Sequence, residues 1–192
     1  MDQWKRKLAA AGMGVMVGLV CCCSALAGEN VSFRGEQTEA AQGEMPEEER
    51  QAEVLYEAIC QEKLEEYLDE HPEGSCEDER ASFRLNEKLK EAAAHRLQAA
   101  MGSGYTNGRI PGEGTVEEYL ASLPQPSSRT CMELYLRNCQ DGQEAYEKFE
   151  EKMMERYEAK EDRKYLPEYY REIGMAQAQR DGKYDFLLIL MR

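Results

Sequence analysis

Two strand-like runs joined by a turn close the chain. Asp181-Gly182 is a dipeptide typical of hairpin turns, and it separates a run that contains Ile173 and Met175 from the run Tyr184 to Met191. The first run alternates between larger and smaller side chains, whereas the second is apolar on both of its faces. A strand of the second kind is covered on both sides, so the pattern predicts a sheet inside a layered domain.

Apolar residues recur at helical spacing in three longer segments. The pattern predicts helices over Glu48 to Leu68, over Leu85 to Met101 and in the stretch that follows Asp141. In the first of these segments the acidic residues and Lys63 fall opposite the apolar stripe, where we expect them to face solvent.

A short helix and a further strand complete the predicted elements. Thr115 and Glu118 have the spacing of a capping box, which predicts that a helix begins there. Residues Thr130 to Arg137 alternate, which places Cys131 and Glu133 on one face of a strand. The order helix, helix, short helix, strand, helix, strand, strand predicts an α/β fold. We expect a three-layer αβα sandwich in which helices cover both faces of a small, mainly antiparallel sheet.

The first 27 residues have the composition of a signal peptide. A basic start at Lys5, Arg6 and Lys7 precedes an apolar run, and the run ends in Ala25-Leu26-Ala27, so we expect cleavage before Gly28. After cleavage no stable membrane span is expected. A retained membrane anchor is one alternative. Lipidation of one of the cysteines at 21–23, as in a bacterial lipoprotein, is another.

Composition divides the rest of the chain into a tether and one domain. Residues 28–47 are polar and acidic, which is typical of a flexible tether. Residues 48–192 have the length of a single domain with one core.

The chain is strongly acidic. It contains 24 Lys and Arg against 38 Asp and Glu, for a formal net charge of −14. Loss of residues 1–27 removes three basic residues and one acidic residue, and the remainder carries −16. Such a charge repels nucleic acids and anionic membranes, so we expect neither as a partner.

Four cysteines lie beyond the predicted leader. In an exported chain an even number permits two disulfides. Cys60 and Cys76 can approach each other if the Pro72-Glu73-Gly74 turn folds the chain back. Cys131 and Cys139 lie too far apart on one strand to pair. Free buried thiols are an equal alternative.

Four segments share their order and local residues with one known domain. They are LKEAAAHRLQAAM from Leu89 to Met101, YTNGRIPG from Tyr105 to Gly112, ELYLRNCQDGQEA from Glu133 to Ala145, and the closing order of Leu-Pro, Tyr, Glu-Ile-Gly and a hairpin. The chain therefore resembles the CAP superfamily of cysteine-rich secretory, antigen 5 and pathogenesis-related 1 proteins, as a divergent bacterial member. The resemblance covers roughly residues 48–192.

The resemblance implies a cleft, but without the histidines that the family places there. Glu133 matches a family glutamate, Asn107 stands at the first histidine position, and Glu161 is nearest to the second. We expect Asn107, Glu133 and Glu161 to line one ligand-binding cleft, with no metal and no catalytic residue. The alternatives are a carboxylate-only calcium or magnesium site, a zinc site, and a Glu133 that only accepts hydrogen bonds from backbone amides.

By this resemblance the function is that of a secreted or cell-envelope binding module. Its partner would be a small apolar ligand, an envelope component or another protein. One alternative is a divergent hydrolase that uses Glu133 and Glu161 as an acid–base pair. Another is a thiol nucleophile at Cys131 with Glu133 and His95, and a third is an unrelated exported α/β interaction protein. The sequence has neither a phosphate loop nor a dinucleotide glycine motif, so no cofactor is expected.

Overall fold

A computed structural model describes residues 47–124, 127 and 129–192 of the chain. Within these residues the chain forms four α-helices and a four-stranded mixed sheet, which confirms the α/β class. The predicted leader and nearly all of the predicted tether lie outside the described residues, and so do the cysteines at 21–23.

Every helix and strand predicted from the sequence pattern is present. The helices are α1 (Glu47–Glu70), α2 (Glu87–Ser103), α3 (Val116–Ser122) and α4 (Gly142–Lys160), and the strands are β1 (Arg84–Leu85), β2 (Cys131–Cys139), β3 (Glu172–Arg180) and β4 (Lys183–Met191). Two short 3-10 turns, Arg163–Tyr165 and Pro167–Tyr169, connect α4 to β3. The pattern missed β1, because two residues are too few to show a period.

Side-chain caps explain where three of the helices begin. Thr115 and Glu118 form the predicted capping box at the start of α3. The side chain of Asp141 accepts a hydrogen bond from the backbone N–H of Glu144 at the start of α4. Asn86 does the same at the start of α2, which therefore begins after Leu85 rather than at it.

The terminal hairpin places β4 at the centre of the sheet. Asp181 and Gly182 both have positive φ, which suits a two-residue turn and fits the predicted hairpin. The strand order is β1-β3-β4-β2, and β4 pairs antiparallel with both neighbours. β1 pairs parallel with β3, so the sheet is mixed but mainly antiparallel. β2 is left as an edge strand.

Alternate side chains of β4 enter two separate hydrophobic clusters. Phe186, Leu188 and Leu190 pack with apolar residues of α1 and α4. Leu187 and Ile189 pack with apolar residues of α2 and α3. This arrangement explains why β4 is apolar on both faces.

Lys63 of α1 is buried, contrary to the prediction that it faces solvent. Its Nζ donates hydrogen bonds to the backbone oxygens of Tyr170 at 2.6 Å and Ser82 at 3.0 Å, and it lies 3.9 Å from the ring centroid of Phe83. Burial, and then the charge of Arg171, lower the pKa of Lys63 to about 8. Periodicity does not distinguish a solvated cation from a buried one that donates hydrogen bonds to two segments distant in sequence.

α2 contacts β3 directly at Gly174. A Cβ atom at Gly174 would overlap the backbone of Leu89 and the amide nitrogen of Lys90. Leu89 is itself buried in the cluster between α2 and the sheet. Glycine is therefore required here for close approach.

Gly174→Ala is expected to lower the free energy of unfolding by about 3 kcal/mol, because the added methyl group must push α2 away from β3. Gly102→Ala in α2 is the matched control, since a Cβ atom there meets nothing within 4 Å. That control should be neutral or stabilising by about 0.5 to 1 kcal/mol. Urea denaturation measures both variants, and equal effects would contradict the close approach.

Glu172 joins β1, β3 and the segment before β2. Its carboxylate accepts hydrogen bonds from Asn86 Nδ2 at 2.5 Å, Arg129 Nη1 at 3.0 Å and Arg84 Nη2 at 3.2 Å. Burial acts to raise the pKa of Glu172. The hydrogen bonds from Asn86 and Arg129, with the charges of Arg129 and Arg84, outweigh burial and lower that pKa below its usual value.

Glu172→Gln is expected to lower the free energy of unfolding at pH 7 by about 1.5 to 3 kcal/mol. Because folding lowers the pKa, the contribution of Glu172 is complete above the pKa of an unfolded glutamate, about 4.3, and is lost as pH falls through the lower folded value. The difference from the wild type should therefore shrink below about pH 4. Urea denaturation across pH tests this, with the exposed Glu87→Gln as control. A difference that does not depend on pH would argue against the contacts.

Candidate functional site

A cavity of about 820 Å³ opens along the first residues of the edge strand β2. We call it the β2 cleft. Cys131, Met132 and Glu133 line it from the strand. Because adjacent strand residues point to opposite faces of the sheet, the cleft receives side chains from both faces.

One wall of the β2 cleft comes from the segment that leads into α3. Asn107 and Gly108 line it, together with residues 115–117. Both Asn107 and Gly108 have positive φ, and the backbones of Thr106 and Arg109 bond to each other in both directions at 3.0 Å. This tight turn explains the Asn-Gly pair in the sequence, since asparagine and glycine tolerate positive φ best.

The other wall comes from the end of α4 and the 3-10 turns. Arg156 and Lys160 lie four residues apart on α4, so they share one helix face. Lys164, Tyr165 and Tyr170 continue the wall. This wall therefore combines cationic groups with aromatic surface.

Glu133 forms a buried ion pair with Arg96 of α2. The Nε of Arg96 donates to one carboxylate oxygen, and its Nη2 donates to the other at 2.9 Å. The side chain of Arg96 is 0% exposed and that of Glu133 is 2% exposed. Two-point pairing of a guanidinium with a carboxylate is among the stronger protein hydrogen-bond geometries. The carboxylate of Glu133 therefore bonds to a side chain, rather than to the backbone amides of the alternative interpretation.

Sequence reasoning missed Arg96, although a signal for it was available. Arg96 lies within the apolar stripe of α2, next to Leu97 and one turn after Ala92 and Ala93. A charged residue in such a stripe is expected to have a buried partner of opposite charge. Glu133, on the inward face of β2, is that partner.

The ion pair extends to a second carboxylate, that of Glu113. Nη1 of Arg96 lies 3.6 Å from one oxygen of Glu113, and Nε2 of His95 lies 2.7 Å from the other. The His95 ring also stacks on Tyr119 at a centroid distance of 5.1 Å. His95 is thus engaged with Glu113 and Tyr119, and it is not one of the cleft-lining residues.

The structure brings two of the three predicted cleft residues together. Asn107 and Glu133 line the β2 cleft, but Glu161 does not. Glu161 is the residue at which α4 ends, with a left-handed φ of 51°, and it is exposed. The chain turns at this point, and Lys160 and Lys164 line the cleft on either side of Glu161.

The cleft does not offer a thiolate nucleophile. Burial, followed by the charges of Glu117 and Glu133, raises the pKa of Cys131 to about 12, so its thiol is protonated at neutral pH. His95 is bonded to Glu113 rather than to Cys131. Among residues 47–124 and 129–192, no group of three or more metal-ligating side chains is arranged to hold an ion.

The described cysteines Cys60, Cys76, Cys131 and Cys139 are all free thiols. Cys60 and Cys76 line a second cavity of about 570 Å³, beside α1. Their pairing under oxidising conditions stays a prediction. Cys131 and Cys139 are the two end residues of β2.

No family model matches this chain, and no curated protein matches it. Within the described part, none of the helices has both the length and the apolar character of a membrane span.

Arg96→Met is expected to lower the free energy of unfolding by about 3 to 5 kcal/mol, because Glu133 then remains buried without its partner. The double variant Arg96→Met/Glu133→Leu removes both charges and should regain most of that loss. Urea denaturation at pH 7 measures both.

The exposed pair of Arg109 and Glu118, with a contact of 2.9 Å, provides the control. Arg109→Gln should change the free energy of unfolding by less than about 1 kcal/mol. If Arg96→Met lowers the free energy of unfolding no more than Arg109→Gln does, the buried ion pair does not stabilise the fold.

Proposed function

We propose that this chain is an exported, non-catalytic binding module of the CAP type, and that the β2 cleft holds a small ligand with apolar surface. In this proposal the domain is a three-layer αβα sandwich. The two hydrophobic clusters that meet at β4 support that arrangement, because each contains residues from a different pair of helices.

The observation that carries this proposal is that Asn107 and Glu133 line the same cleft. They come from a loop and a strand separated by α3, and their association was expected only from the resemblance to the CAP superfamily. The volume of about 820 Å³ lies within the range of small-molecule sites. Tyr165, which is half-buried, supplies apolar surface, and the buried Met132, Val116 and Tyr170 also border the cleft.

The bonding of the cleft residues favours binding over catalysis. Arg96 engages both carboxylate oxygens of Glu133, so this group is poorly placed to act as a base. The alternative hydrolase requires Glu161 as the second carboxylate, and Glu161 lies outside the cleft. An unrelated exported α/β interaction protein remains the second candidate, and it differs by not requiring a ligand in this cleft.

N-phenyl-1-naphthylamine, a neutral probe that fluoresces in apolar sites, is expected to bind the protein saturably. Ala159 lines the cleft and is exposed, so Ala159→Trp should fill the cleft and weaken binding about tenfold or more. Ala94→Trp, at an exposed position of α2 outside the cleft, is the control and should bind like the wild type. Fluorescence titration gives the affinities, and circular dichroism checks that each variant is folded.

Two outcomes would contradict the proposed function. The first is the absence of saturable binding. The second is equal binding by the Ala159→Trp and Ala94→Trp variants, which would place the probe outside the β2 cleft. Elemental analysis of the same purified protein should find no stoichiometric zinc.

A further inference from the structure

Three cationic side chains line the wall of the β2 cleft that comes from the end of α4 and the 3-10 turns, although the chain carries a net charge of −14. They are Arg156, Lys160 and Lys164. Lys164 forms an ion pair with Asp162 at 3.0 Å, and the two side chains are 43% and 45% exposed. Local positive charge of this kind in an acidic protein attracts small anions to one place while the surface as a whole repels them.

Arg156 and Lys164 are both half-buried, whereas Lys160 is exposed. Of the two half-buried cations, Arg156 has no carboxylate partner among the described residues. Its Nη1 donates a hydrogen bond to the backbone oxygen of Glu133 at 3.3 Å. A guanidinium carries five N–H donors, and within the described part of the chain Arg156 forms no ion pair with a carboxylate. Its remaining donors are therefore available to an acceptor that enters the cleft.

The carboxylates that also line the cleft do not cancel this positive charge. Glu133 is already paired with Arg96. Glu117 and Glu155 are exposed, so solvent and salt weaken the effect of their charges as they weaken that of the exposed Lys160. The buried thiol of Cys131 and the buried phenol of Tyr170 both have raised pKa values, so they are neutral at pH 7.

Apolar surface lies next to the cationic wall. Tyr165 and Tyr170 belong to the same wall, and Met132 and Val116 line the cleft with them. A ligand that satisfies both features has a flat apolar body and one acidic group.

We infer that the ligand of the β2 cleft is a small organic anion, in which an aromatic or aliphatic body carries one acidic group. This inference rests on the proposed function and specifies the ligand class. The acidic group bonds to Arg156. Lys160 and Lys164 add electrostatic attraction, and the apolar body packs on the half-buried Tyr165. A charge-assisted pair with a half-buried guanidinium is stronger than one formed in open solvent.

Two fluorescent probes of the same shape separate charge from apolar contact. 8-Anilinonaphthalene-1-sulfonate has the body of N-phenyl-1-naphthylamine and one added sulfonate. The wild type is expected to bind the sulfonate probe about tenfold more tightly than the neutral probe. Raising the salt concentration from about 0.05 to about 0.5 M should weaken the binding of the sulfonate probe only.

Arg156→Gln should reduce the affinity for the sulfonate probe to that for the neutral probe and leave the neutral probe unaffected. Lys160→Gln, at an exposed position, should weaken binding of the sulfonate probe about threefold. This variant tests the inference if Arg156→Gln disturbs the fold. Lys152→Gln removes the same charge from α4 at a position outside the cleft and is the control. Ala159→Trp should weaken binding of both probes.

The outcomes distinguish the two levels of inference. If the neutral probe binds in the cleft and the sulfonate probe binds no more tightly, the inference that the ligand is an anion is wrong, and the proposed function stands. If Lys152→Gln weakens binding of the sulfonate probe as much as Arg156→Gln does, the attraction is that of overall charge, and the inference is wrong. If neither probe binds saturably, both the proposed function and the inference of an anionic ligand are wrong.

Discussion

The burial of β4 on both faces is the constraint on which the rest of the domain depends. Its residues Phe186 to Leu190 are all fully buried, and removal of that apolar surface from water is the dominant favourable term in folding. Neither face can remain in contact with water. One hydrophobic cluster joins β4 to apolar residues of α1 and α4, and the other joins it to apolar residues of α2 and α3. The antiparallel neighbours β2 and β3 then satisfy the backbone hydrogen bonds of β4.

The position of the cleft follows from the same arrangement. With β4 at the centre, β2 lies at the edge, and its first residues are free to line a cavity. α2 lies close to the sheet because Gly174 presents no side chain to it. That helix carries Arg96, and so the close packing at Gly174 also brings the guanidinium to Glu133. The core and the site therefore share elements, and a change in the packing of α2 should reach both.

The electrostatics of the cleft differ from those of the chain as a whole. The acidic surface favours solubility and repels polyanions at a distance. Inside the cleft, Arg96 neutralises Glu133, and Arg156 keeps donors free for a ligand. A small anion can enter such a cleft with modest repulsion, because salt weakens its interaction with carboxylates that lie more than about 8 to 10 Å away. A large polyanion would meet many more of those carboxylates.

Local signals in the sequence determined the four described helices, three of the four described strands, the capping box of α3 and the terminal hairpin, because each depends on residues close together in the chain. They also indicated that β4 is covered on both faces and that Cys131 and Glu133 share one face of a strand. Tertiary structure alone decided the partners. Arg96 is 37 residues from Glu133 along the chain, and the buried Lys63 is 107 residues from its acceptor at Tyr170. It also decided that Glu161 is outside the cleft. Periodicity shows which side chains share a face, but only the packing of distant elements decides what those side chains contact.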